Sequence, residues 1–257
     1  NLDQKQQSIL KGSNDFIVKV HALFSFIPYS SYHSNAIIFN FIGFIGLLFI
    51  YAFVLHFIPE KKYILFVCML ILPSFLLWSS GPTKEGLLLF GIGTLLRSGQ
   101  LLIINRSRMV AILLYLLGTF ILWNTRSLYA LLLVPLFTVY VINDIRKSKK
   151  IGLNFLIVLF ISLCVFWESS NFNSALDIKQ MVIQKNQEFI KLAQDEKAGS
   201  TLVNPVLENN LLSFVKALPH AIVNTLFRPL PWNIKSPMHA FMLIENILLY
   251  FFAALII

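Results

Sequence analysis

The chain alternates between long apolar runs and short polar breaks. Ala36–Ile58 is the clearest run, and Tyr63–Trp78 follows it with Pro73 inside. A third run starts near Pro82 and stays apolar to Leu96. It continues through "LLII" at 101–104 if Arg97 snorkels. Met109–Trp123, Leu128–Ile142, Ile151–Trp167 and Ala240–Ile257 complete the set. Runs of this length and apolarity predict membrane-crossing helices, because only a helix satisfies its own backbone in hydrocarbon. The predicted fold is therefore all-α: a polytopic transmembrane helix bundle of about seven spans with a long outer loop carrying an amphipathic helix.

Four regions follow from this pattern. Residues 1–35 form an outer-interface N-terminal segment. In it "DFIVKVHALFSFI" at 15–27 is too short to span and predicts an interfacial helix. Residues 36–167 form the transmembrane bundle of about six spans. Residues 168–239 form the outer loop, where "ALDIKQMVIQKNQEFIKLAQDEKA" at 175–198 has apolar positions 178, 181, 182, 189, 192 and 193 near one helical face, interrupted by Lys185. Residues 240–257 form the last span. Asn1 at the start and an apolar run at the end read as a fragment or a processed chain.

Composition agrees with this reading. Hydrophobic residues make up 57% of the chain and charged residues 13%, about half of what a soluble domain carries. The net charge of +9 is topological. Taken alternately, the short loops place Lys61, Lys62, Arg97, Arg106, Arg108, Arg146, Lys147, Lys149 and Lys150 on one side, against Lys84 and Arg126 on the other. The cation-rich side is expected to be cytoplasmic. No basic patch with interleaved aromatics is present, so a nucleic-acid partner is excluded. Cys68 and Cys164 lie inside apolar runs and give neither a disulfide framework nor metal spacing. His220 and His239 are too far apart to suggest a metal site. No cofactor is implied.

The candidate chemistry lies on the cation-poor side. "WSSGPTKEG" at 78–86 places Pro82 at an expected helix start, with Ser79 and Ser80 before it and Lys84 and Glu85 in the first turn. A helix N-terminus with hydroxyls and a cation suits a phosphate, and Arg126 in "NTRS" supplies a bidentate second cation. At 1.5 Å per residue, Tyr63–Trp78 reaches roughly 24 Å and Met109–Trp123 about 22 Å, short of the ~30 Å hydrocarbon core. Lys84, Glu85 and Arg126 are thus expected slightly below the outer interface, where charges pair or line a wet cavity. An ordinary helix start, a solvated Lys–Glu pair and an arginine reaching headgroups explain the same residues without a ligand. "LFRPLPW" at 226–232 holds Arg228 among prolines and aromatics, a phosphate ligand or a membrane anchor. Glu245 falls inside the last run, where a carboxylate points to function or to structural pairing. Glu245 and Glu85 are the candidate catalytic carboxylates. Ser79, Ser80, Lys84, Arg126 and Arg228 are the candidate phosphate or pyrophosphate ligands.

"LPSFLLWSSGPTKEGLLLFGIGTLL", "NTRSLYALLLVPL" and "LFRPLPW…ENILLY" together resemble bacterial O-antigen and capsule polymerase-like membrane proteins, with GT-C glycosyltransferases as near neighbours. The resemblance implies an enzyme of the inner membrane acting on polyprenyl-phosphate- or pyrophosphate-linked sugars at the outer face. Its implied partners are a lipid-linked saccharide, membrane lipids and an envelope-assembly complex. Two rival functions fit the same residues: a transporter or flippase of lipid-linked sugars, and a non-catalytic subunit of an envelope complex. A transporter often shows internal repeats and charges at the bilayer midplane, neither of which is evident here.

Overall fold

A computed structural model describes residues 15–26, 31–70, 81, 83–172, 178–195, 205–227, 230, 234 and 237–256. These residues form α-helices and one short 3₁₀ turn, with no strand among them. The α-helices are α1 (Asp15–Ser25), α2 (Tyr32–Phe57), α3 (Lys62–Leu70), α4 (Lys84–Ile103), α5 (Arg108–Thr125), α6 (Ser127–Arg146), α7 (Ile151–Phe172), α8 (Ile178–Asp195), α9 (Leu211–Leu226) and α10 (Pro237–Ile256). The chain divides into two compact units, Asn1–Ser162 and Leu163–Ile257.

Five described helices are long and apolar enough to cross a membrane: α2, α4, α5, α6 and the Ile151–Ser169 part of α7. Leu211–Leu226 and Ala240–Phe251 are shorter apolar helices. The second expected span is described only as far as Leu70. The third is one helix through Ile103, so the polar Arg97–Gln100 stretch does not break it. The Arg97 guanidinium donates to Gln100 Oε1 at 2.6 Å, and Gln100 Nε2 donates to the Ala52 carbonyl at 3.2 Å. An all-α bundle with apolar helices of bilayer length defines a helical membrane protein.

Local chemistry sets the helix ends. Ser31 caps α2 by accepting from the Ser34 amide at 3.2 Å. The helix stops at Phe57, ahead of Pro59, because the residue before a proline is pushed out of the helical region. Arg126 alone links α5 to α6: its φ of −147° and ψ of 85° leave the helix for one residue.

In the first unit α4 is central, and more than half of its apolar window is buried, more than in any other candidate span. Glycines let its neighbours approach. A Cβ on Gly43 would meet Gly86 Cα at 3.1 Å, and one on Gly93 would run into the Gly46 carbonyl. On the opposite side, a Cβ on Gly118 would meet Thr94 Oγ1 at 2.7 Å and the Gly91 carbonyl at 2.9 Å. Small residues at helix contacts are the membrane solution to packing, since lipid gives no hydrophobic drive between helices. The register of these contacts makes α2 and α4 parallel and α5 antiparallel to α4. Gly99 against Phe137 and Val141 makes α6 parallel to α4. Residues 83–86 and 125–127 therefore share one end of the bundle with the start of α2. Residues 57–62, 103–108 and 146–151 share the other.

In the second unit α8 is amphipathic as expected, but its buried face is different. Lys179 and Ile183 are buried and Asn186 half-buried, while Met181 and Phe189 are exposed. Two specific contacts set this rotation. The Lys179 ammonium lies 4.7 Å from the centre of the Trp167 ring, and Asn186 Oδ1 accepts from the Leu207 amide at 3.0 Å. The stretch between α8 and α10 also holds α9, which the sequence pattern missed. Asn210 caps it by accepting from the Leu212 amide at 3.1 Å.

Candidate functional site

Three of the expected site residues meet at one end of the first unit. Thr83 stands at the N-cap of α4 with extended backbone, and Lys84 and Glu85 are the first two helical residues. The helix thus starts two residues later than the Pro82 start expected, and the proline precedes the cap instead of opening the helix. The Thr83 hydroxyl makes no cap bond to the backbone.

Arg126 arrives from a different element. The end of α5 is tied down by Thr125 Oγ1, which donates to the Ile121 carbonyl at 2.7 Å, and by the Arg126 amide, which donates to the Leu122 carbonyl at 2.9 Å. The chain then turns at Arg126 alone and enters α6. This tight break directs the guanidinium towards α4, where Arg126 Nη2 lies 3.6 Å from Glu85 Oε1. Both side chains are a little over one-third exposed. Such a pair contributes about 1 kcal/mol or less to stability. Its stronger consequence is positional, because it orients the guanidinium. Arg126 Nε is buried and has no hydrogen-bond partner among the described residues. The Lys84 ammonium is partly desolvated and lies within electrostatic reach of Arg126 and Glu85. Two cations and one carboxylate, on two elements, leave this end of the bundle locally positive.

α4 has 20 residues and α5 has 18, so they span about 30 Å and 27 Å along their axes. These lengths are closer to the ~30 Å of a bilayer core than the apolar runs alone.

The same end is covered by α1. Phe16, Ile17, Val20 and Phe24 pack on the cluster of Phe39, Leu87 and Ile121. The His21 ring stacks on Phe39 with centroids 4.4 Å apart. Phe39 is fully buried, and its carbonyl faces Gly86, two residues beyond Lys84. His21 is thus a neighbour of the site that motif reading passed over. Its only sequence signal is its place on an amphipathic segment.

Ser79, Ser80 and Arg228 lie outside the described residues. Glu245 belongs to the second unit, where it is buried in α10. Among the described residues no cluster of His, Cys, Asp and Glu has the makings of a metal site.

The chain matches no protein-family model, no curated protein and no solved structure. The class defined by composition and fold is that of a helical membrane protein.

Proposed function

We propose that the protein is a membrane glycosyltransferase or polysaccharide polymerase acting on polyprenyl-phosphate- or pyrophosphate-linked sugars at the outer face of the cytoplasmic membrane of a bacterium. The observation that carries this reading is the Arg126–Glu85 pair beside Lys84, at the end of a membrane bundle whose other end holds most of the cations. A cationic group at a helix-bundle end suits a phosphate whose lipid tail stays in the bilayer.

In this reading the acceptor hydroxyl attacks the anomeric carbon of the donor, and the bond from that carbon to the phosphate oxygen breaks. Negative charge builds on the departing phosphate, and Arg126 and Lys84 stabilise it. Glu85 holds the guanidinium in place. Ser79, Ser80 and Arg228 are further phosphate ligands assigned by their motifs. Glu245 is assigned the proton of the acceptor hydroxyl. The lipid-linked oligosaccharide profile of cells with and without the gene tests the proposal. A polymerisation defect leaves single repeat units, and a missing transfer leaves a truncated unit. An unchanged profile overturns it.

A further inference from the structure

The opposite end of the first unit carries a second feature that the transfer reading does not use. A cavity of about 420 Å³ lies between α2, α4, α6 and α7. That volume falls within the range of about 300–1,000 Å³ typical of ligand sites. Its walls are almost wholly apolar. Phe53, Phe57, Phe137 and Tyr140 pack ring against ring, with centroids 5.9–6.4 Å apart across the helices and Phe137 stacked on Tyr140 at 5.9 Å. Phe155 of α7 completes the lining on one side. Polar bonds tie the helices that form its walls. Gln100 ties α4 to α2 through the Ala52 carbonyl beside Phe53, and Asn154 Nδ2 donates to Asn143 Oδ1 at 2.7 Å between α7 and α6.

Polarity then rises in order along α6. Tyr140 is in the cavity wall. Asn143, three residues on, is buried, and its Nδ2 has no hydrogen-bond partner among the described residues. Lys147 follows four residues later, at the C-cap, with Arg146 before it and Lys149 and Lys150 just after. Lys61, Lys62, Arg106 and Arg108 occupy the other loops of this end, against the acids Glu60 and Asp144. An apolar slot beside a cationic rim follows the order of an acyl chain and a phosphate.

We propose that this cavity binds one acyl chain of an anionic glycerophospholipid. The loop cations after α6 hold its headgroup phosphate. The cationic excess selects an anionic lipid over a zwitterionic one of the same chain length.

Native mass spectrometry of the full chain in detergent, titrated with phosphatidylglycerol or phosphatidylcholine of identical acyl chains, tests this. Wild type is expected to retain one phosphatidylglycerol at concentrations where phosphatidylcholine occupancy is lower by about tenfold or more. The exposed-loop variant Arg146→Gln/Lys147→Gln/Lys150→Gln should lose that preference. Leu136→Trp, which fills the cavity, should reduce retention of both lipids, and Leu133→Trp does the same job if the first variant fails to fold. Equal retention of the two lipids by wild type, or unchanged preference in the triple variant, overturns the proposal. Displacement of phosphatidylglycerol by equimolar polyprenyl phosphate also overturns it, because the cavity would then hold the carrier's tail. None of these readouts uses glycosyl transfer, so the two proposals fail independently.

Discussion

Arg126 is the residue on which the proposed chemistry turns. Its backbone forms the whole junction between α5 and α6, and its side chain meets Glu85 across to α4. Replacing the side chain leaves the junction's backbone bonds in place. Arg126→Ala is therefore expected to lower transfer activity at least about a hundredfold while membrane abundance stays near normal. Arg126→Lys should restore only part of it, because an ammonium lacks the planar fork of a guanidinium. Activity assays in membrane vesicles, with immunoblots for abundance, check both, and full activity in Arg126→Ala reduces the residue to a headgroup anchor. Glu85→Gln should give a milder loss, since it loosens the guanidinium without removing it. Glu245→Gln is a separate test: turnover should fall more than binding of the lipid-linked donor. A fully active and more thermostable Glu245→Gln would make this buried carboxylate a structural liability.

The element that organises the first unit is α4, and its glycines decide how closely α2 and α5 approach. Gly93→Ala would push a methyl group into the Gly46 backbone, which has no flexible side chain to yield. We expect a destabilisation of about 1–3 kcal/mol, read as a lower unfolding midpoint in detergent. Gly152→Ala is the control. Nothing lies within 4 Å of its added Cβ, and α7 should gain up to about 1 kcal/mol from the lost unfolded-state entropy. Equal effects from the two substitutions would mean that close α2–α4 contact does not hold the bundle together. The glycines are visible in the sequence as letters, but their pairing across helices is not. Gly46 and Gly93 meet only because α2 and α4 run parallel.

At the scale of the molecule, the testable quantity is sidedness. In a background with Cys68 and Cys164 replaced by Ala, single cysteines at 84, 126 and 210 should react with a membrane-impermeant reagent added outside, and one at 148 should not. Labelling at 148 without labelling at 210 inverts the orientation and removes the outward site. By itself the sequence determined the all-α class, the apolar helices and the segregation of cations between alternate loops. Those properties are local or periodic: a run of apolar residues must bury its backbone hydrogen bonds in a helix wherever it stands. Lys84, Glu85 and Arg126 were also legible as charges flanking spans. Tertiary structure decided what they do to one another, because the Arg126–Glu85 pair joins residues 41 positions apart through a one-residue turn and the packing of α5 on α4. It also decided which face of α8 is buried, where a cation over Trp167 and an amide bond to Leu207 outweighed the apolar stripe. The aromatic cavity had no motif to announce it. Its walls come from helices distant in the chain, and only their shared register brings Phe53, Phe137 and Tyr140 into one wall.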